Sequence, residues 1–448
     1  MIGDALLTDQ YTLTMAQSFW RHGQAHERTS FELFVRRLPP DRGYLVAAGL
    51  RPALEYLREW RFSDRDLDHL FSLGIFDSGF LRELSELSFT GDVWAVPEGT
   101  ALPAQAPILR VEAPRLEAAI VESALLSIVN HQTMIATKAA RIASAARGRA
   151  VWDFSLRRLH GPDAAFGVAR AAYIAGFAGT ATVAAGRELG IPTTGTMAHH
   201  FVQSFGVERE QQAFEQFLRD YPQMGVLLVD TYDAHRGIER AIAAAKATGV
   251  RLRGLRLDSG DLAALARYAR RRLDEEGMTD AMVLASNDLD EYRITELLAA
   301  GAPIDAFGVG TMLGTCADAP ALGGVYKLVA QETADERPGE VMKMAVGKRT
   351  DPGRHQLWRA APDRFLLGMA DEEGPQGLEP LLRRVMRWGS LAEREDLDRI
   401  RARCARELDA LPADVRALHE PREIELRRTP ALERLIGEIA EPAAAASA

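Results

Sequence analysis

The chain has 448 residues, too many for one ordinary domain, and its 47% hydrophobic and 26% charged content is typical of soluble globular proteins. Its 54 basic and 63 acidic residues give a formal net charge of −9, which argues against general nucleic-acid binding but permits a locally basic cleft. Cys316 and Cys404 lie far apart without a CxxC partner, which excludes a disulfide framework or a thiolate zinc site. No signal peptide and no membrane-length apolar run is visible, so we expect a cytoplasmic protein that binds neither membranes nor nucleic acid.

Residues 1–112 are predicted to form an N-terminal α/β domain. A helix with apolar spacing ends at Gly23, and "TSFELFVRRLP" is predicted to be a strand that stops at Pro39 and Pro40. The stretch "GDVWAVPEGTALPAQAPILRVEAP" alternates short apolar runs with Pro and Gly, which indicates a small antiparallel β unit. The following run, "LEAAIVESALLSIVNHQTMIATKAARIASAARG", is predicted to be one long helix that ends at Gly148.

Residues 113–338 are predicted to form an α/β barrel, because short apolar strands alternate with helices along this part of the chain. An open doubly wound sheet is the main alternative. Residues 339–448 are predicted to be a mostly helical C-terminal segment that partly completes the N-terminal domain. The predicted strands are 150–155, 191–197, 225–232, 252–259, 282–288, 304–311 and 323–329.

Polar residues collect at the carboxyl ends of these predicted strands. In a parallel barrel those ends converge on one face, where active sites form. Each cluster alone could be a turn with a helix N-cap, but arginine and histidine are not capping residues, so capping does not explain them. The clusters are Asp153 with Arg157 and Arg158; Thr196 with His199; Asp230 with Tyr232 and Asp233; Arg256 with Asp258, Ser259 and Asp261; Ser286 with Asn287 and Asp288; and Gly308 with Gly310 and Thr311.

These clusters favour a phosphorylated, anionic substrate. The Gly-rich turn "FGVGTMLGT" (307–315) can cradle a phosphate with backbone N–H groups, although it matches neither a dinucleotide fingerprint nor a Walker motif. Arg157, Arg158 and Arg256 could bind anions, or could pair with Asp153 or Asp258. The acids are too spread for an all-protein Mg²⁺ cage, so a divalent ion is expected to arrive with the ligand.

Two adjacent histidines, His199 and His200 in "GTMAHHF", allow several interpretations. A metal-dependent hydrolase on a barrel would use both of them with His235 and Asp230 as ligands, but no HxH spacing supports it. A non-catalytic sugar-phosphate sensor is a further alternative.

The motifs as a set resemble the nicotinate phosphoribosyltransferase family. The similarity runs from about residue 5 to residue 360, and it depends on the order of many short motifs rather than on one decisive motif. These motifs are "LLTDQYTLTMA", "FELFVRRLP", "IATKAARIASAARG", "DFSLRRLHGPDAA", "GTMAHHF", "LLVDTYDAHRG", "LRLDSGDL", "ASNDLDE", "FGVGT" and "GGVYKLV".

The resemblance implies an irregular type II phosphoribosyltransferase barrel that works as a homodimer with sites near the subunit contact. It implies transfer of the phosphoribosyl group from phosphoribosyl pyrophosphate to nicotinate, giving nicotinate mononucleotide and pyrophosphate. ATP, as a co-substrate with Mg²⁺, would phosphorylate a histidine during each cycle. His199 corresponds to that phosphohistidine, and His200 replaces the serine of the family pattern GTMAHS.

The resemblance also assigns roles to individual residues. Catalytic roles fall on His199, Arg256 and Asp258, with Arg256 also contacting the nicotinate carboxylate. Substrate-binding roles fall on Tyr11, Arg157, Thr196, Asn287, Gly308, Gly310 and Thr311, Tyr11 stacking on the pyridine ring from the neighbouring subunit.

Three further positions depart from the patterns of related enzymes. Ser155 and His160 stand where the family usually has Gly and Gln, which affects fine substrate geometry rather than the reaction class. In the stretch "FAGTATV", Ala181 replaces an aspartate that accepts from the carboxamide in the related nicotinamide-using enzyme. We therefore expect the acid, nicotinate, to be preferred to the amide.

Overall fold

The computed structural model describes residues 3–332, 338–345, 347–392 and 395–445. Their contacts divide the chain into two compact units, residues 1–137 with 321–448 and residues 138–320. This grouping differs from the predicted domain boundaries at 112/113 and 338/339, which stay a prediction. Within the described ranges, no helix has the length and apolarity needed to cross a membrane.

The first part of the chain supplies strands and helices to the first unit. Its strands are β1 (Arg28–Val35), β2 (Leu45–Val46), β3 (Asp92–Ala95), β4 (Ala101–Leu102) and β5 (Pro107–Pro114). Its helices are α1 (Gln10–Arg21), α2 (Leu50–Glu59), α3 (Asp64–Ser72), α4 (Ser78–Glu86), α5 (Arg115–Ile120) and α6 (Glu122–Ala145), which runs on into the second unit.

Local chemistry sets several of these limits. Gly23 follows α1 with a φ of 73°, the left-handed conformation that ends a helix. Ser63 and Asp66 form a reciprocal capping box at the start of α3. The predicted single helix after residue 114 is two helices, α5 and α6, separated at Val121.

The second unit alternates strands and helices as predicted. Its strands are β6 (Ala150–Asp153), β7 (Gly179–Thr180), β8 (Val226–Leu228), β9 (Gly254–Leu257), β10 (Met282–Ala285) and β11 (Ala306–Val309). Its helices are α7 (Ala164–Ile174), α8 (Val183–Leu189), α9 (His199–Gln203), α10 (Glu210–Asp220), α11 (Ala234–Thr248), α12 (Leu262–Glu275), α13 (Glu291–Ala299) and α14 (Thr311–Gly314). Two 3₁₀ turns, Leu156–Arg158 and Val207–Arg209, complete it.

These six strands form one parallel sheet in the order β7-β6-β11-β10-β9-β8. The predicted parallel α/β architecture is therefore confirmed. Among the described residues no hydrogen-bonded ladder joins β8 to the opposite edge, so closure into a barrel stays a prediction.

Two strand predictions were wrong in placement. Residues 191–197 make only an isolated bridge, Thr193 to Thr180, because Pro192 has no N–H to donate to a ladder. The predicted strand at 323–329 is part of β12 (Gly324–Glu332), which pairs antiparallel with β1 in the first unit and not in the parallel sheet. The short strand β7 was not predicted.

The last part of the chain completes the first unit. It contains β12, β13 (Pro338–Glu340), β14 (His355–Ala361), β15 (Arg364–Met369), β16 (Arg383–Arg387), β17 (Ser390–Leu391), β18 (Glu425–Arg428), α15 (Leu397–Ala410) and α16 (Pro430–Ala445). A seven-stranded antiparallel sheet runs in the order β13-β12-β1-β5-β3-β16-β17, beside sheets β14-β15-β18 and β2-β4. The prediction that residues 339–448 are mostly helical was wrong, because five of these strands, β14 to β18, fall there.

Candidate active site

A buried arginine marks the carboxyl end of the parallel sheet. All four residues of β9 are buried, as expected for a strand covered on both faces, yet one of them is Arg256. Its side chain is only 9% exposed. A buried guanidinium requires hydrogen-bond or ionic partners, and its presence inside a strand of the sheet indicates a functional role.

The guanidinium of Arg256 is fixed on several sides. Its Nε donates to the Ser286 hydroxyl at 2.9 Å, and its two terminal nitrogens donate to Thr196 Oγ1 at 3.3 Å and Asp258 Oδ1 at 3.0 Å. The Phe154 ring lies under it, with the guanidinium carbon 5.2 Å from the ring centroid. An arginine has five N–H groups, so one N–H on each terminal nitrogen stays available for an anion.

Asp258 connects this arginine to His199. Besides Arg256, its Oδ1 accepts a hydrogen bond from the Ser286 hydroxyl. Its Oδ2 lies 3.7 Å from His199 Nε2, within ion-pair range but beyond a hydrogen bond. The His199 side chain is 40% exposed, so a nucleotide could reach the ring.

Asp230 anchors the loop that carries Asp258. Its Oδ2 accepts from the backbone N–H of Asp258 at 2.9 Å and from the Ser259 hydroxyl at 2.5 Å. Its Oδ1 is buried and has no hydrogen-bond partner among the described residues. A buried carboxylate oxygen without a partner can accept a hydrogen bond from a ligand or coordinate a cation.

Three other acids at these strand ends have only capping roles. Asp233, Asp261 and Asp290 are the N-caps of α11, α12 and α13, and each accepts from backbone N–H groups of the first turn. The turn interpretation is thus right for Asp233 and Asp261, and it does not account for Asp230 or Asp258.

Asp153 does not pair with the neighbouring arginines. It is buried and accepts from the Ser155 hydroxyl at 2.5 Å and the Thr180 hydroxyl at 2.7 Å, while burial raises the pKa of its carboxyl group. Arg157 and Arg158 are exposed on the adjacent 3₁₀ turn, and neither has an ion-pair partner within the described ranges. Both therefore stay available for an anionic ligand.

The Gly-rich turn packs directly against the Asp153 segment. A Cβ at Gly308 would come within 2.4 Å of the Phe154 ring, and one at Gly310 within 3.1 Å of the Phe154 carbonyl oxygen. Thr311 follows as the first residue of α14. The close approach at residue 308 thus requires glycine, and the same Phe154 ring underlies Arg256.

The turn after β10 has a strained backbone. Asn287 and Asp288 are exposed and have φ values of 90° and 43°, in the left-handed region that non-glycine residues rarely adopt. Such outliers persist only where surrounding structure holds them, and they concentrate at functional sites.

A buried ionic cluster holds the elements behind these two turns. Lys138 Nζ lies 2.6 Å from Glu291 Oε2 and 2.9 Å from Asp318 Oδ1, and Arg141 Nε lies 2.8 Å from Glu291 Oε1. Lys138 and Glu291 are fully buried. Because Glu291 begins α13 and Asp318 follows α14, the cluster fixes the segments that follow Asn287 and the Gly-rich turn.

The remaining predicted residues have surroundings of their own. Tyr11 belongs to the first unit, on α1, where its side chain is half exposed and where partial burial and Glu122 raise the pKa of its phenol. His200 is exposed, and His235 packs edge-on against the Tyr268 ring at 4.5 Å. Within the described ranges, no three His, Cys, Asp or Glu residues form a group that could hold a metal, so the hydrolase interpretation is not favoured.

Sequence reasoning missed two residues of the site, Thr231 and Phe154. Thr231 Oγ1 lies 3.1 Å from His199 Nδ1, and Phe154 underlies Arg256. Thr231 directly follows Asp230, and Phe154 directly follows Asp153. Their position next to these predicted site acids was the one feature of the sequence that could have indicated them. Neither residue type suggests chemistry on its own.

The first unit contains cavities of its own. One of about 490 Å³ is lined by Arg36, Arg349, Arg428 and His355, among others, and another of about 480 Å³ lies along α2 and α15. Neither includes any residue of the Arg256–Asp258–His199 network, so they do not define this site.

Comparison with known proteins places the chain in one family. A model described as the nicotinate phosphoribosyltransferase N-terminal domain matches residues 6–130, and the model of the nicotinate phosphoribosyltransferase family matches residues 150–351. The chain is 46% identical over 422 residues to a nicotinate phosphoribosyltransferase of Mycobacterium tuberculosis, covering 93% of this chain and 89% of that protein. It is 47% identical over 360 residues to the nicotinate phosphoribosyltransferase of Bacillus subtilis, covering 79% and 73%.

Solved structures agree with this placement. Human nicotinic acid phosphoribosyltransferase superposes with a TM-score of 0.83 at 28% identity, covering 96% of this chain and 99% of the human one. Nicotinate-nucleotide pyrophosphorylase from Pyrococcus furiosus shares the fold, with a TM-score of 0.73 at 24% identity over 91% and 96% of the chains. The chain belongs to the nicotinate phosphoribosyltransferase family.

Proposed function

We propose that this protein joins nicotinate to phosphoribosyl pyrophosphate, forming nicotinate mononucleotide and pyrophosphate, the first step of NAD salvage from nicotinate. ATP hydrolysis is coupled to the transfer through a phosphohistidine at His199. The observation that carries the proposal is the continuous polar network that links Thr196, Arg256 and Asp258 to the neighbourhood of His199. Family membership supports the same reaction.

Arg256 is the proposed partner of the nicotinate carboxylate. Its guanidinium is nearly buried and held in one orientation, and an N–H on each terminal nitrogen is available for two parallel hydrogen bonds. Binding the carboxylate in this place orients the pyridine nitrogen toward the sugar. Tyr11 of a neighbouring subunit is the proposed stacking partner in a homodimer.

The phosphoribosyl pyrophosphate is assigned to the adjoining turns. The Gly-rich turn of Gly308, Gly310 and Thr311 is the proposed phosphate cradle, Arg157 offers an unpaired guanidinium, and Asn287 lies in the strained turn after β10. In the transfer, the pyridine nitrogen forms a bond to C1 of the ribose while the bond to pyrophosphate breaks. The side chains position the reactants and neutralise the leaving group, so no covalent intermediate with the sugar is needed.

Magnesium fits the donors that the site offers. The unpartnered buried Oδ1 of Asp230 and the carboxylate of Asp258 are hard oxygen ligands, suited to an ion that arrives with a diphosphate. Bound Mg²⁺ would neutralise the charge that develops on the departing pyrophosphate.

His199 is the proposed phosphoryl acceptor. A lone pair of the neutral imidazole forms an N–P bond to the γ-phosphorus of ATP as the bond to ADP breaks, and water later discharges the phosphoramidate to phosphate. A negative group at this position would lie close to Asp258 and its loop, which offers a route by which ATP alters diphosphate affinity.

We also infer that the parallel sheet curves into an irregular barrel. Thr193 bridges to Thr180 of β7 at one edge of the sheet, and six residues later His199 contacts Thr231 just beyond β8 at the other edge. Thr196, between them, bonds to Arg256 on β9. The segment 193–199 therefore reaches both edges of the sheet, by backbone hydrogen bonds at β7 and by the His199 side chain beyond β8.

Incubating the protein with nicotinate, phosphoribosyl pyrophosphate and Mg²⁺, with and without ATP, tests the function. We expect nicotinate mononucleotide, detected by mass, to form faster with ATP, and ADP to accumulate together with it. Absence of the mononucleotide in both reactions would refute the proposal.

The site also predicts a preference for the acid over the amide. Ala181 is partly buried and packs against the Phe154 cluster, so no carboxylate there can accept from a carboxamide, whereas Arg256 favours a carboxylate. We expect kcat/KM for nicotinate to exceed that for nicotinamide by about 100-fold or more.

The variant Ala181→Asp should reduce this preference for nicotinate. The new carboxylate can accept a hydrogen bond from the carboxamide of nicotinamide, and it repels the carboxylate of nicotinate. Val183→Asp, which adds the same charge at a 75% exposed position two residues away, is the matched control and should leave the preference intact. Comparable efficiencies of the unmodified protein on both substrates would contradict the assignment of Arg256 and Ala181.

A further inference from the structure

We propose that Thr231 is a positioning residue for His199, whose hydroxyl holds the imidazole in the orientation needed to accept a phosphoryl group. This inference rests on the proposed function, because it concerns the step in which His199 reacts with ATP. Thr231 touches neither the nicotinate site at Arg256 nor the Gly-rich turn in the contacts of the second unit. Its effect is therefore expected on the ATP step in particular.

The geometry identifies the hydroxyl as the support of the ring. Thr231 Oγ1 lies 3.1 Å from His199 Nδ1, whereas the Asp258 carboxylate stands 3.7 Å from Nε2, too far to hold the ring by a hydrogen bond. Within the described part of the chain, Thr231 provides the one hydrogen bond to the imidazole. A histidine that is 40% exposed and begins a five-residue helix has little else to fix its torsion angles.

Thr231 does not cap the helix that follows it. A threonine after a strand often caps the next helix, but the N-cap of α11 is Asp233, whose carboxylate accepts from the Arg236 N–H at 2.8 Å. The Thr231 hydroxyl is thus free to serve the histidine across a sequence separation of 32 residues.

Asp230, the residue before Thr231, connects the histidine contact to the Asp258 loop. Asp230 binds the loop of Asp258 and Ser259, so two consecutive residues beyond β8 hold both the histidine and the loop that carries its carboxylate neighbour. A change at the imidazole is therefore transmitted to the segment that faces the diphosphate through a short, bonded path. Coupling between two ligands needs such a shared element.

The test compares Thr231→Val, which removes the hydroxyl and keeps the shape, with Thr231→Ser, which keeps the hydroxyl. The readouts are the initial rate of ³²P transfer from [γ-³²P]ATP to the protein and the ratio of mononucleotide formation with and without ATP. We expect the valine variant to lose about tenfold in phosphorylation rate at saturating ATP, with KM for ATP little changed, and the serine variant to recover to within about twofold of the unmodified protein.

Thr248→Val is the matched control, because Thr248 is a partly buried threonine of the same unit whose hydroxyl bonds only to backbone groups, donating to the Ala244 and Ala245 carbonyls and accepting from the Val250 N–H. If the valine variant does not fold, Thr231→Ala gives the same readouts. Phosphorylation of the valine or alanine variant at the unmodified rate, or a serine variant as slow as valine, would overturn this inference alone. An unmodified protein that makes no mononucleotide would overturn the proposed function and this inference with it.

Discussion

Replacing His199 by alanine is expected to abolish protein phosphorylation and the stimulation by ATP, while slow ATP-independent transfer persists. The variant removes the proposed acceptor of the phosphoryl group, so the phosphorylation rate should fall by at least about 1000-fold. The phosphoribosyl transfer uses other groups, namely Arg256 and the turns around Gly308, which the alanine leaves in place. The measurement is ³²P incorporation together with mononucleotide formation with and without ATP.

His200→Ala is the matched control for this experiment. It removes the adjacent imidazole, which is exposed and replaces the family serine, so phosphorylation should continue. The label on the unmodified protein should be stable to alkali and labile to acid, as a phosphoramidate is. Loss of all transfer in the His199 variant with ATP hydrolysis retained, or a label that disappears only in the His200 variant, would show that the role is misassigned.

The sequence predicted which polar residues lie together, because position along a strand carries physical meaning. Carboxyl ends of parallel strands meet at one edge, so Thr196, Arg256, Asp258 and Ser286 could be expected together before any coordinates, and the structure joins them by hydrogen bonds. The pattern could not distinguish the acidic residues of the site from those that cap helices. Asp258 and Asp261 are three residues apart in one motif, yet only the second caps a helix.

Other features depended on tertiary contacts that no local pattern encodes. The apolar run at 323–329 has the composition of a buried parallel strand, but its partner is β1, nearly 300 residues earlier, and the pairing is antiparallel. The run at 191–197 has strand-like residues, but Pro192 breaks its donor pattern, and the segment acts through the side chains of Thr196 and His199. The contact between Thr231 and His199 joins residues that are 32 positions apart, so the sequence pattern does not predict it.

Replacing Arg256 by lysine is expected to lower kcat/KM for nicotinate by about 100- to 1000-fold, despite the conserved charge. The guanidinium bonds to Ser286, Thr196 and Asp258 at once, and a lysine ammonium lacks the planar fork to hold these partners and a carboxylate together. Most of the loss should appear in KM for nicotinate, because the interaction with the carboxylate is already formed in the bound substrate.

The comparison with the amide separates substrate recognition from simple structural damage. If Arg256 binds the carboxylate, the lysine variant should lose far more efficiency on nicotinate than on nicotinamide, so that the preference for the acid shrinks. Arg251→Lys, at an exposed arginine that pairs with Asp280 before β9, is the matched control and should leave both efficiencies near those of the unmodified protein. Equal losses on both substrates would instead mean that Arg256 only supports Asp258 and Ser286, and the nicotinate carboxylate would then need a different partner.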